Sequence, residues 1–216
     1  MKLNILVLFL AITLFSCGAE NDTSNNIHVF NTLVASSLNN FKQSFNAKRT
    51  ELEFISGVKV NNCDDYSKEV KKSKISEGVN NQIAKSEYLL CDVLGLLGNK
   101  PYSVMKADIN MSNVIVNNLD LRSFSSSLGP RLDEKSYTLK SVAGSNLLIK
   151  ENNIIYETEG WYYKIELIAT ADINSNKKED WILWVTDESK SGNYRSYQTI
   201  VLYDIDTAKR VVEDRS

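Results

Sequence analysis

The sequence predicts an α+β protein in which N-terminal helices pack on a C-terminal antiparallel β meander. Three observations in its 216 residues carry this reading. Apolar residues recur at i, i+3 and i+4 through Ile27–Arg49 and again through Gln82–Leu97, the period of helices with one buried face. From Leu147 onward the pattern changes to short β-rich runs separated by turn residues. Helices first and strands afterwards is an order that favours α+β over alternating α/β.

In the first helix the stripe is Val29, Phe30, Leu33, Val34, Leu38, Phe41 and Phe45, with Thr23 and Ser24 available as caps. The other side carries Asn and Ser rather than Lys and Arg, so the stripe reads as core and not as a membrane-lying face. Leu52–Val60 reads as a strand, with Gly57 as a bulge. Ser67–Lys74 reads as a short helix, and the basic run Lys68–Lys74 as its solvated face. Gln82–Leu97 carries Ile83, Tyr88, Leu89, Leu90, Val93, Leu94 and Leu97 and stops at Gly98.

Asn113–Leu121 has the composition of a strand, and Gly129-Pro130 is a stop. Leu132–Val142 fits neither period. Leu147–Ile149, Ile154–Thr158, Trp161–Ala171, Trp181–Val185 and Tyr197–Tyr203 read as strands, with turns at Asn152-Asn153 and Ser191-Gly192-Asn193. Trp161, Tyr163, Ile165, Leu167, Ala169 and Ala171 alternate onto one face. Trp181–Val185 is apolar on both faces, as a central strand is. Residues 27–216 thus read as a single α+β domain, helical over 27–110 and β-rich over 111–216.

The N-terminus has a different logic. Lys2 precedes the apolar run Ile5–Phe15, and Ser16-Cys17 follows. That is the layout of a secretory signal over residues 1–16. At about 1.5 Å per residue, so short a run does not span a hydrocarbon layer of ~30 Å. Leu14-Phe15-Ser16-Cys17 resembles the lipobox of bacterial lipoproteins, with Phe15 where that family carries a small residue. The resemblance implies removal of the signal, acylation of Cys17, and a polar tether over residues 17–26. Gly18 in place of Asp implies the outer membrane, with the domain facing the periplasm. Export leaves Cys63 and Cys91 in an oxidising compartment, where a disulfide is the default and a buried thiol pair the alternative. The formal charge of -2 has no basic surplus and excludes nucleic acid as the natural partner.

Two segments invite a chemical reading. Asp172, Asn174, Asn176, Lys178 and Asp180 place oxygen side chains at relative positions 1, 3, 5 and 9, with the Lys178 carbonyl at 7. Hard oxygens at that spacing hold Ca²⁺. The segment resembles the acidic loops of FG-GAP and VCBS-type repeats, and the resemblance implies a weak Ca²⁺ site. Lys177 stands where those loops carry Gly, and Leu183 where an EF-hand carries Glu. The other reading is a polar hairpin loop bonded to its own backbone. The second segment is aromatic. All three Trp and six of ten Tyr lie between Tyr156 and Tyr203, so Trp161, Trp184 and Tyr197 are candidates for a binding face. Half-buried strands also favour these residues without any ligand.

Enzyme readings lack residues. His28 is the one histidine, no G-x-S-x-G or H-E-x-x-H is present, and no Gly-rich loop cradles phosphate. The expectation is a non-catalytic, lipid-anchored envelope protein that needs no cofactor beyond the weak Ca²⁺ and binds a protein or a glycan. The alternatives are a periplasmic immunity protein against an envelope-acting toxin and a carboxylate-dependent envelope hydrolase.

Overall fold

The computed structural model describes residues 27–105 and 113–205. The signal, Cys17 and the tether lie outside the described residues. Strands β5 (Leu147–Lys150), β6 (Asn153–Glu157), β7 (Trp161–Ala171), β8 (Asp180–Ser189) and β9 (Arg195–Leu202) pair consecutively and antiparallel. This is the meander expected from the period-2 runs. Two short strands from the N-terminal half, β1 (Ile27–Val29) and β4 (Tyr102–Val104), complete a seven-stranded mixed sheet. One edge of β7 pairs with β8. The other edge is shared, with β6 along its first half and β1 at Ala169 and Thr170.

Both faces of the sheet are covered. On one lie helices α1 (Thr32–Asn39), α2 (Phe41–Asn46), α3 (Cys63–Glu69), α4 (Val79–Ile83) and α5 (Leu89–Leu97), with a π-helical turn Ala84–Tyr88 joining the last two. The hairpin β2 (Leu52–Glu53) and β3 (Lys59–Val60) caps this layer. On the other face lie residues 113–143, ending in helix α6 (Leu139–Ala143). Strand β8 therefore buries Ile182 towards one core and Leu183 and Val185 towards the other, the central position its sequence predicts. Among the described residues no helix is long and apolar enough to cross a membrane.

Four local expectations are corrected. Ile27–Arg49 is not one helix. The Asn31 side chain accepts from Leu33 N–H and Val34 N–H, holding residue 31 extended, so α1 starts after it and Ile27–Val29 joins the sheet. Leu33, taken for the stripe, is 51% exposed. Leu52–Val60 is a hairpin, not a strand, because Gly57 adopts φ +82 in its turn. Asn113–Leu121 contains a π-helical turn, Asn113–Asn118, that buries Ile115 and Val116. β composition describes residues that fit a pleated, half-buried surface, and here the covering layer uses them instead. Finally, β7 carries a bulge between Leu167 and Ala169. Tyr163, Ile165 and Leu167 face one core, and Ala169 and Ala171 face the other.

Candidate functional site

The sulfurs of Cys63 and Cys91 are bonded, with both residues buried and their Cα atoms 5.0 Å apart. Cys63 opens α3 and Cys91 lies in α5, so the bond staples those two helices to each other.

The loop between β7 and β8 is closed by its own polar groups. Asp172 accepts from the N–H groups of Asn176 and Lys177, both at 2.9 Å. Asn174 accepts from Asn176 N–H at 3.2 Å, and Asn176 accepts from Lys178 N–H at 2.9 Å. Asp180, fully buried, accepts from Ile173 N–H at 2.7 Å and from Asp204 N–H at 2.9 Å. Lys178 reaches Asp204 at 3.2 Å. The Asn176 side-chain amide, 2.6 Å from Asp204, holds that carboxyl below its ordinary range, with Lys178 adding to the effect. Ser175 and Lys177 both stand at positive φ, +61 and +68. The polar-hairpin geometry is thus present. Among the described residues no three His, Cys, Asp or Glu side chains converge as metal ligands do.

The aromatic candidates do not share a face. Trp161 stands on the Tyr163 side of the sheet, edge-on to Tyr194 at 5.5 Å. Trp184 and Tyr197 stand on the opposite side, at neighbouring positions of β8 and β9. Tyr197 lies under the helical layer: its hydroxyl donates to Glu188 and accepts from Gln82, and Lys85 lies 4.7 Å from its ring centroid. Burial, reinforced by the bond to Glu188, pushes the Tyr197 hydroxyl up to about 12.

The Tyr197 side of the sheet also holds the exposed site that the sequence did not single out. Register places Leu148, Ile155, Lys164, Thr186 and Tyr197 in one rung across β5 to β9. At its covered end Tyr197 is held by the helices. In the middle Lys164 pairs with Glu166 at 2.8 Å, and Glu166 also accepts from Asn31 at 2.8 Å. At its open end lies β5. Among the described residues β5 pairs with β6 alone, so its outer backbone edge is free. Leu148 is 58% exposed on one face and Ile149 46% exposed on the other. A free edge with apolar residues on both faces is a template for another strand. The run Leu147–Lys150 is readable as a strand, but which strand ends the sheet depends on pairing that no local pattern encodes.

Compared with family models, curated proteins and solved structures, the chain matches none of them.

Proposed function

We propose that this is a non-catalytic cell-envelope protein, held to the membrane by acyl chains on Cys17, that binds a protein partner by strand addition at β5. The observation that carries the binding reading is the open β5 edge, with Leu148 and Ile149 exposed on its two faces. In such recognition the main-chain hydrogen bonds supply affinity and alternating side chains supply choice of partner. A protein segment satisfies a free backbone edge in a way a glycan does not. The anchor reading is supported by the lipobox-like Leu14–Cys17 run and by a Cys63–Cys91 disulfide, the state expected of an exported chain. Outer-membrane placement, from Gly18, belongs to the same reading.

Photo-crosslinking in intact cells tests the partner. A photoreactive residue at Leu148 or Ile149 is expected to trap the same polypeptide, one at Lys42 on α2 is not, and Ile149→Lys with the label at Leu148 abolishes the adduct. Labels at β5 that trap nothing more than the Lys42 control overturn the reading. An envelope-acting toxin as the trapped species would make the partner a target of inhibition. Replacing Cys17 by Ser tests the anchor: the chain should leave the membrane fraction, and continued lipid labelling of that variant refutes it.

A further inference from the structure

We propose that the Cys63–Cys91 bond is a redox-sensitive staple with two unlike sulfurs: Cys63 leaves as a thiolate on reduction, with Arg49 as its counterion, and Cys91 is the sulfur that is attacked. The contacts of the two sulfurs are opposite in kind. Arg49 Nε donates to Cys63 Sγ at 3.3 Å. Cys91 Sγ lies 3.8 Å from the Glu87 carbonyl. A guanidinium favours the charged form of a sulfur, whereas a carbonyl favours the protonated form, which alone can donate to it. Reduction therefore leaves a thiolate at Cys63 and a thiol at Cys91. The proposal rests on the disulfide and depends neither on the anchor nor on β5.

Arg49 is fixed in place. Its backbone N–H donates to the Asn61 carbonyl at 2.7 Å and its Nη2 to the Ser44 carbonyl of α2 at 2.9 Å. It is half-buried, and among the described residues no carboxylate forms an ion pair with it. Burial pulls its guanidinium below the usual value, and Glu87 opposes this without contact, being held by the N–H and hydroxyl of Thr50. A desolvated cation without an anion is costly. A thiolate at Cys63 supplies that anion, and it exists in the reduced state alone, so Arg49 shifts the equilibrium towards reduction. Other charges on the surrounding helices are engaged elsewhere. Asp64 and Asp65 hold Lys68, Ser56 binds Glu69, Lys85 pairs with Glu188, and Asp92 accepts from Thr199. Lys42 on α2 adds one more positive charge. Of the buried phenols Tyr66 and Tyr88, burial pushes Tyr88 up to about 12.

The reductant class is a dithiol. One of its thiolates attacks Cys91 Sγ, the S–S bond breaks, and the electron pair stays on Cys63 Sγ beside Arg49. The second dithiol sulfur, deprotonated, then attacks the first, and Cys91 leaves and takes up a proton. The dithiol becomes a disulfide and gives two electrons to the cysteines. Of its two protons one ends on Cys91 and the other in solvent. Re-oxidation reverses these steps, with the Cys63 thiolate attacking Cys91 last. Both sulfurs are buried, so exchange passes through an opening of α3 from α5, but the equilibrium depends on the end states alone.

The test uses the full chain with carbon-13 at the cysteine β-carbons, whose NMR shift reports thiolate formation directly. Cys63→Ser and Cys91→Ser assign the signals. In the reduced protein Cys63 is expected to titrate below the ordinary thiol value of about 8.5 and Cys91 above it. Equilibration with reduced and oxidised dithiothreitol at about pH 8, followed by acid quenching and alkylation under denaturing conditions, gives the reduced fraction. Arg49→Gln removes one charge-assisted hydrogen bond and should lower the equilibrium constant for reduction roughly tenfold, with Arg49→Lys lowering it less. Where Arg49→Gln fails to fold, the order of the two wild-type titrations decides. Cys91 ionising first overturns the proposal, as does Cys63 titrating at or above the ordinary value. An equilibrium constant unchanged in folded Arg49→Gln overturns it as well.

Discussion

The Asp187 carboxylate accepts two hydrogen bonds from a single residue sixty positions earlier, Ser127, whose N–H and Oγ both lie at 2.6 Å. Asp187 is 1% exposed near the C-terminal end of β8, opposite Tyr163 on β7. Tyr194 donates a third bond at 3.3 Å. Three donors thus solvate a buried charge and tie the Ser-rich segment before Leu128 to the sheet. Asp187→Ala leaves these donors without their acceptor and should destabilise the protein by about 2–4 kcal/mol, with Asp187→Asn milder because one carbonyl oxygen remains. Urea midpoints measure the cost, and amide exchange at Ser127 should accelerate in the alanine variant. An unchanged midpoint would mean the clamp contributes nothing.

The disulfide closes a loop with a sequence separation of 28 between α3 and α5. Loop-closure entropy of that length is worth roughly 3–4 kcal/mol. The double variant Cys63→Ser/Cys91→Ser should fold with a lower midpoint by about that amount and show faster exchange in α3 than in β8. Thiol titration of the wild type under denaturing, non-reducing conditions should find neither cysteine free. Two reactive thiols would remove the staple from the account.

Much of this architecture is visible in local pattern. The five meander strands follow from period-2 runs and Asn- or Gly-containing turns. Gly98 ends α5 at φ +62, the conformation its position after Leu97 implies. The cysteine pairing follows from chemistry once export is inferred. What local pattern hides is decided by distant partners. Ile27–Val29 has helical spacing, yet β7 offers it backbone groups and Asn31 caps the helix behind it. Asn113–Asn118 looks like a strand, but among the described residues it pairs with no strand, and its apolar residues Ile115 and Val116 cover a face of the sheet. The site divides likewise. The closed loop at Asp172–Asp180 is legible as Asx chemistry, whereas the open edge at β5 exists only because nothing among the described residues pairs beyond it.

Glu188 links acid stability to the contact between helices and sheet. Burial pushes its carboxyl up, but hydrogen bonds from Lys85, at 2.6 Å, and from Tyr197 outweigh this and hold it below the ordinary 4.5. A carboxyl depressed in the folded state stabilises the protein above its unfolded pKa, and that contribution is lost as pH falls through the folded value. Stability should therefore decline as pH falls below the ordinary 4.5 and through the depressed folded-state value. Glu188→Gln should make that decline shallower without abolishing it, because Asp204 and Asp133 are also held below their ordinary range. Denaturant midpoints at several pH values in both proteins measure this. Parallel curves would show that Glu188 is not linked to folding.

The loop at Asp172–Asp180 separates two readings by calcium and by one residue. Its closing bonds, from Asn176 and Lys177 N–H to Asp172 and from Ile173 N–H to Asp180, are all made within the chain. Closure therefore needs no cation, and about 1 mM Ca²⁺ is expected to leave Tm unchanged, whereas a weak site with Kd near 10⁻⁴ M would raise stability by about 1.4 kcal/mol. Lys177 occupies the position where calcium loops carry Gly, and its φ of +68 is the conformation that Gly adopts at least cost. Lys177→Gly should accordingly be tolerated, and the relief of left-handed strain, about 1–2 kcal/mol, should outweigh the added freedom of the unfolded chain, about 0.4–1 kcal/mol. Asp172→Ala should lower Tm equally with and without Ca²⁺, since it removes amide acceptors rather than a ligand. A Tm that climbs with Ca²⁺ in the wild type and ceases to do so in Asp172→Ala would place a cation in the loop.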